Sequence, residues 1–351
     1  MSFRWLVYGA NGYTGKIIAE RAAARGLRPV LAGRREDAIR PLAEKLKLDY
    51  RIFDLSDLAS TDRALEGIAA VLHCAGPFSA TSKRMVDACL RSKVHYLDIT
   101  GEIFVFEALH ARSREAVEAG ITLLPGVGFD VVPSDCLAAS LVKSLPEAIE
   151  LEMAFAAQGG ALSKGTLKTM VEHWEKGGAI RRDGKIVSVR QAHISKEVRF
   201  SDKTRSVAAI PWGDVATAFY STGIPNITIY VASSALMPVI SRAMTLLNPL
   251  IGNRSVKRFL QNQIEKRVKG PDEVMHKEGS VKLWGKVTSR GGLSKEAWLD
   301  VPESYSLTAD TAIVSAERAA QGKTKPGYFT PSQAFGSDFI TEFPGTRLTM
   351  L

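Results

Sequence analysis

The first fifteen residues constrain the fold most. An apolar run over residues 3–8 stops at Gly9, and Gly12 and Gly15 follow at three-residue spacing before an apolar helical pattern begins. A glycine turn between a buried strand and a helix leaves backbone N–H groups free at the helix N-terminus. Such a turn accepts a pyrophosphate, because glycine lets the backbone come close to it. Gly9, Asn11, Gly12, Tyr13, Thr14 and Gly15 are therefore the expected phosphate-binding residues. A glycine triplet alone is equally a plain turn, and the spacing differs from the commoner GxGxxG. Its position at the head of a strand–helix series is what gives it meaning.

That series is regular. Apolar runs at 3–9, 29–33, 50–54, 70–76, 95–99 and 121–125 predict strands. Helical patterns at 16–25, 39–47, 61–67, 82–93 and 105–119 separate them. Crossovers of this length are right-handed and give a parallel sheet covered on both faces. From Ile149 the period changes: Ile149, Leu151, Met153 and Phe155 alternate with Glu150, Glu152 and Ala154, as in a half-buried strand. Asp183-Gly184 and Gly291-Gly292 predict hairpin turns, and Ile227, Ile229 and Val231 mark another strand. The expected fold class is α/β: a Rossmann doubly wound parallel sheet over 1–145, then an α+β domain on a mostly antiparallel sheet over 146–304. A C-terminal segment covers 305–351.

The end of the second strand narrows the cofactor. A strand end that reads NAD carries Asp or Glu for the ribose hydroxyls, whereas this one reads Ala32-Gly33-Arg34-Arg35. A guanidinium clamps a 2′-phosphate with two parallel hydrogen bonds, so Gly33, Arg34 and Arg35 predict NADP. Alternatively, the arginines open a solvated helix with Glu36 and Asp37 as ion-pair partners. Asp54, ending the third strand, is a candidate for the adenine edge. Cys74, Ala75, Gly76, Pro77 and Phe78 follow the fourth strand, where they would turn the chain under the nicotinamide ribose or serve only as a strand exit. Asp98, Glu102 and Asp130 stand at later strand exits and are the candidate catalytic carboxylates, one of which would transfer a proton if its pKa is raised. Asp135, with Ser134, would more simply cap the helix after Pro133.

Several classes drop out. The 351 residues are 45% hydrophobic and 24% charged, which suits a soluble enzyme of two domains. Cys74, Cys89 and Cys136 are odd in number and form no CxxC pair, so no thiol–metal site or disulfide framework is expected and a cytoplasmic setting follows. No signal peptide is expected, because the apolar stretch at the start is already a strand. Nucleic acid is not an expected partner: the net charge of +9 comes without zinc-finger spacing or a basic–aromatic array. Short-chain dehydrogenase chemistry needs a Tyr four residues before a Lys, and none of the eight tyrosines has one. Ser163 to Thr166, His173 and Trp174 are polar candidates for the wall opposite the cofactor.

The stretch 238–269 bears on partners. Ile240, Met244 and Leu247 form one helical stripe; Val256, Phe259, Leu260, Ile264 and Val268 form a second. Around the second stand Arg254, Lys257, Arg258, Lys266, Arg267 and Lys269 against the single acid Glu265. A basic amphipathic helix suits an acidic carrier protein or a membrane surface, and equally a helix packed on its own sheet. Arg242, Pro238 and Pro249 argue against a spanning helix.

Together these motifs resemble the saccharopine dehydrogenase-like superfamily. The resemblance is carried by residues 8–15, Ala32 to Arg34, Gly76 to Phe78, Tyr96 to Glu102 and Gly126 to Asp135. Ser163 to Thr166, Arg181 to Gly184, Ile210 to Asp214, Ser221 to Asn226 and the stretch 305–348 are similar to its trans-acting enoyl reductase branch. The resemblance implies NADP, an inserted antiparallel domain that forms a homodimer, and a C-terminal segment returning to the first domain. It also implies one of two reductions: the C=C of a thioester-bound acyl chain, or the imine of an aldehyde and an amino acid, for which Arg181 and Arg182 would clamp carboxylates. A third reading is a non-catalytic NADP-binding protein on lipid surfaces.

Overall fold

The computed structural model describes residues 3–158, 177–190, 192–233 and 279–351, with Val256, Arg258, Phe259, Asn262 and Gln263 between. The chain divides into two compact units: Met1–Val132 with Tyr305–Phe343, and Pro133–Ser304 with Pro344–Leu351.

In the first unit, β1 (Trp5–Tyr8), β2 (Val30–Gly33), β3 (Tyr50–Ile52), β4 (Ala70–His73), β5 (His95–Asp98) and β6 (Thr122–Leu124) are joined through α1 (Tyr13–Ala24), α2 (Glu36–Leu46), α3 (Leu58–Leu65), α4 (Phe78–Ser92), α5 (Ile103–His110) and α6 (Ser113–Ala119). The strands lie in the order β3-β2-β1-β4-β5-β6, extended beside β6 by Gly327–Tyr328, and every pairing is parallel. The order reverses between β1 and β4, the crevice where open α/β sheets bind ligands. A parallel sheet covered on both faces needs strands apolar on both sides, and β1, β2, β4 and β6 are buried throughout. One face packs Val7, Leu31, Leu72, Leu97 and Leu124 against Ile18 and Ala22 of α1 and Ala309, Ile313 and Ala316 of helix Ser304–Ala320. Each fully buried Leu or Ile contributes roughly 1.5–3 kcal/mol. The C-terminal segment therefore completes this core.

The strands lie where the periodicity puts them, but helices begin earlier: α1 at Tyr13 rather than 16, α2 at Glu36 rather than 39, α4 at Phe78 rather than 82. Their first turns are polar, aromatic or glycine residues without an apolar period. The expected helix 105–119 is two, α5 and α6.

The second unit starts earlier than 146, because α7 (Val132–Ser144) belongs mainly to it: Leu137 and Leu141 occupy the space a Cβ on Gly285 would fill. Its sheet comprises β7 (Ala148–Gln158), β8 (Gly178–Arg182), β9 (Lys185–Val189), β10 (Ser195–Arg199), β11 (Thr204–Ala209), β12 (Asn226–Ala232), β13 (Ser280–Ser289) and β14 (Ser294–Pro302). Only β7 and β12 pair in parallel; the other pairings are antiparallel. Arg347–Met350 adds an edge beside β14, so the last eight residues join this unit rather than the first. Both expected hairpins form, with Asp183 (φ 50°), Gly184 (φ 76°) and Gly292 (φ 84°) supplying the left-handed conformations of tight turns.

Candidate functional site

At the switch point β1 passes into α1 through a turn that works only with glycine. Gly9 has φ 82°, donates its N–H to Ala32 O at 2.8 Å, and would place a Cβ 2.9 Å from Ala75 N. Gly15 lies in the first turn of α1, where a Cβ would stand 2.4 Å from Gly9 O. These two glycines therefore let β1, α1 and the exit of β4 meet. Gly12 differs: a Cβ there would approach only Gly9 O, at 3.2 Å. As N-cap it offers no side chain to the first N–H groups of α1, and no acidic residue stands in that turn. Those N–H groups have no acceptor within the helix, and the helix dipole favours an anion beside them. A phosphate fits this cradle. Asn11 and Tyr13 are exposed and Thr14 half-buried along its rim. Asn11 Oδ1 would meet a Cβ on Gly33 at 3.2 Å, so Gly33 makes room for it.

At the adenosine end Arg34 and Arg35 are exposed, and neither makes an ion pair among the described residues. Glu36, the alternative partner, instead pairs with Arg40, whose Nε also donates to Tyr50 Oη at 3.1 Å. Asp54 Oδ1 accepts from Ser56 N (2.8 Å) and Ser56 Oγ (2.6 Å), which holds the carboxyl below the usual carboxylate range. Asp54 is exposed, and its second oxygen accepts no hydrogen bond among the described residues.

The exit of β4 is braced from below. Cys74 N donates to Tyr8 O at 2.8 Å. Thr81 Oγ1 donates to Ala75 O (2.7 Å) and accepts from His73 Nε2 (2.9 Å). His73 is fully buried, which lowers its pKa to about 3 and keeps it neutral. Burial likewise raises the Cys74 thiol, so it is no thiolate. Gly76-Pro77, exposed and joined by a cis peptide, leads into the half-buried Phe78.

The three strand-exit carboxylates have different surroundings. Asp98 is fully buried: Oδ1 accepts from Thr100 N and Gly126 N, both at 3.0 Å, and Oδ2 from Tyr96 Oη at 2.7 Å. Burial nonetheless pushes its pKa up to about 6. It ties the exits of β5 and β6 together. Glu102 reaches back to α4, accepting from Phe78 N at 2.8 Å and Ser79 N at 3.2 Å, and so caps that helix. Asp130 keeps part of its surface, but its carboxyl lies against Gly101, where a Cβ would be 2.8 Å from Oδ2, and burial pushes its pKa up to about 6. Its loop is pinned from helix Ser304–Ala320, where Thr308 Oγ1 accepts from Phe129 N (2.9 Å) and Thr311 Oγ1 donates to Val127 O (2.7 Å). The sequence assigns Thr81, Thr308 and Thr311 no role, and marks Tyr96 only as the head of the Tyr96 to Glu102 motif. Asp135 lies buried in the first turn of α7.

In the second unit Arg181 is buried, with Nε on Val215 O (2.8 Å), Nη1 on Gly184 O (2.7 Å) and its guanidinium 4.2 Å from the Phe219 ring. It shapes the β8–β9 hairpin and is not a free carboxylate clamp. Residues 163–166, His173, Trp174 and most of 238–269 lie outside the described residues. Among the described residues no helix is long and apolar enough to cross a membrane.

Residues 5–124 match the saccharopine dehydrogenase NADP binding domain family. The chain is 29% identical over 153 residues to a saccharopine dehydrogenase-like oxidoreductase of Mus musculus, covering 38% of this chain and 36% of that one. It is 34% identical over 143 residues to a trans-acting enoyl reductase of Mycobacterium bovis, covering 38% of this chain and 34% of that one. The matched stretch thus spans about a third of these curated relatives. Over 99% of both chains the fold is that of apo saccharopine dehydrogenase (L-Glu forming) from Saccharomyces cerevisiae, at TM-score 0.69 and 12% identity. Homospermidine synthase from Legionella pneumophila, solved with NAD, aligns at TM-score 0.61 and 10% identity over 99% of this chain and 92% of that one.

Proposed function

Starting from a segment 5–124 that belongs to the saccharopine dehydrogenase NADP-binding domain family, we propose that the chain is an NADPH-dependent reductase of the C=C bond of an enoyl thioester. The observation that carries the reading is the set of groups at the strand exits of the first unit's parallel sheet. It comprises a phosphate cradle at Gly9–Gly15, unpaired arginines at the adenosine end, and Asp130 with a pKa of about 6 at a later strand exit.

Bound at these exits, the nicotinamide supplies a hydride to an electron-poor carbon. Gly12 and the first turn of α1 hold the pyrophosphate, and Arg34 and Arg35 hold the 2′-phosphate. Asp54 orients the adenine. Residues 74–78 support the ribose through the Thr81–His73 brace. Asp130 holds the proton that completes the reduction, a role that needs a carboxyl titrating near neutral pH. Asp98 and Glu102 position this machinery as brace and cap.

The enoyl substrate is supported by the mycobacterial relative and by Arg181, whose guanidinium is engaged by Val215 O, Gly184 O and the Phe219 ring and so does not serve the carboxylates of an amino-acid imine. The basic stretch 254–269 supports an acidic carrier as the presenting partner. A homodimer and cytoplasmic residence belong to the same proposal.

The test is a screen of NADPH consumption against enoyl thioesters and aldehyde–amino acid pairs. Turnover of thioesters is expected. Turnover of imine pairs alone replaces this reading with the saccharopine-type one, and no turnover with either removes both.

A further inference from the structure

Arg84 is the residue α4 adds to this set. Thr81, Arg84, Ala88 and Arg91 recur at three- and four-residue spacing and share one face of α4. Both ends of that stripe are fixed. Thr81 is held at the exit of β4 by His73 and Ala75 O, and Arg91 holds Asp62 of α3 through Nη2–Oδ1 at 2.8 Å and Nε–Oδ2 at 3.2 Å. Arg84 therefore faces the segment that leads from β3 into α3, headed by Asp54.

Arg84 is exposed and makes neither a hydrogen bond nor an ion pair among the described residues. Arg34 comes to the same carboxylate from the end of β2, and both guanidinium charges help hold Asp54 ionised, although neither bonds to it. Arg34 and Arg84 thus approach one carboxylate from two different elements. Unpaired cations gathered at one opening favour a second anion there.

Resting on the NADPH reading above, we propose that Arg84 is the second arm of a guanidinium clamp on the 2′-phosphate, opposite Arg34. It is a specificity-determining residue supplied by α4 and not by the strand-end motif. A single arginine after β2 would position the phosphate from one side only. Two from different elements enclose it and give each its own pair of charge-assisted hydrogen bonds.

Calorimetric titration of the full chain with 2′-phospho-ADP-ribose and with ADP-ribose tests this without turnover. Arg84→Gln should weaken the phosphorylated ligand by roughly tenfold or more while leaving ADP-ribose within about twofold. Arg84→Lys, which retains the charge but not the fork, should fall between wild type and Arg84→Gln. Equal losses for both ligands, or no loss for the phosphorylated one, overturn the clamp. If Arg84→Gln does not fold, the same comparison with Arg84→Lys decides. Wild-type protein that binds neither ligand removes the cofactor reading itself, whereas failure of the Arg84 test alone leaves it standing.

Discussion

Gly15→Ala separates the structural glycines of the cradle from the ligand-facing one. The new Cβ would stand 2.4 Å from Gly9 O and 3.0 Å from Ala10 Cα, so the first turn of α1 must back away from that carbonyl by roughly 1 Å. Neither side yields easily. Gly9 is tied to Ala32 O at 2.8 Å and backed by Ala75, while α1 is fixed in the core by Ile18, Ala19 and Ala22. Overpacking of this kind costs about 1–3 kcal/mol, against which alanine regains up to about 1 kcal/mol of helix propensity. A net loss of about 1–2 kcal/mol lowers Tm by roughly 2–8 °C in a unit of this size. The displaced N–H groups no longer aim at a phosphate, so NADPH affinity should fall at least about tenfold. Gly12→Ala is the control: its Cβ meets only Gly9 O at 3.2 Å, so Tm should hold while NADPH affinity falls, because the methyl occupies the approach path. Thermal melts and fluorescence titration of both variants provide the assay. Wild-type Tm and affinity in Gly15→Ala, or normal binding in Gly12→Ala, would refute the reasoning.

Further outcomes follow from the three carboxylates. Asp130→Asn should lower kcat by about a hundredfold or more with NADPH affinity nearly unchanged. The wild-type rate should decline as pH rises above about 6, where Asp130 deprotonates, and the variant should lack that limb; a rate flat with pH in wild type excludes Asp130 as the acid. Asp98→Ala leaves three buried donors unpaired and should cost roughly 3–5 kcal/mol in denaturant unfolding, whereas Asp98→Asn keeps one acceptor oxygen for Thr100 N and Gly126 N and turns its NH2 toward Tyr96 Oη, which can accept, and should cost less. Because the folded pKa of Asp98 is raised to about 6, its carboxyl favours folding most below about pH 4, and that contribution, about 3 kcal/mol, is lost as pH rises to 6; Asp98→Asn should remove this slope from the stability curve. Glu102→Gln should lower Tm by a few degrees by weakening the cap on α4, and an unchanged Tm would deny Glu102 that role.

Much of the first unit was legible because most of its strands are buried runs that end at Gly, Asp or a polar turn, as at Gly9, Gly33 and Asp98. Helix starts were not, since Tyr13, Glu36 and Phe78 carry no apolar period and become helical through what the strand exits impose. The candidate carboxylates were legible as a set, because position after a strand is local information. That Asp98 is a brace and Glu102 a cap was not: it depends on Tyr96 Oη, Gly126 N and Phe78 N, brought together only by the parallel register. The pinning of the 126–130 loop by Thr308 joins residues 179 apart in sequence, which no spacing shows. The unit boundary moved for the same reason, because α7 reads as a continuation of the alternation until its contact with Gly285 is seen.

The most direct test of the account is equilibrium titration of the purified chain with NADPH and NADH, repeated with Arg34→Asp. A charge-assisted clamp on the 2′-phosphate predicts NADPH bound about tenfold or more tighter, with the preference abolished or reversed in the variant. Equal affinities in wild type, or NADPH affinity unchanged by Arg34→Asp, would contradict it.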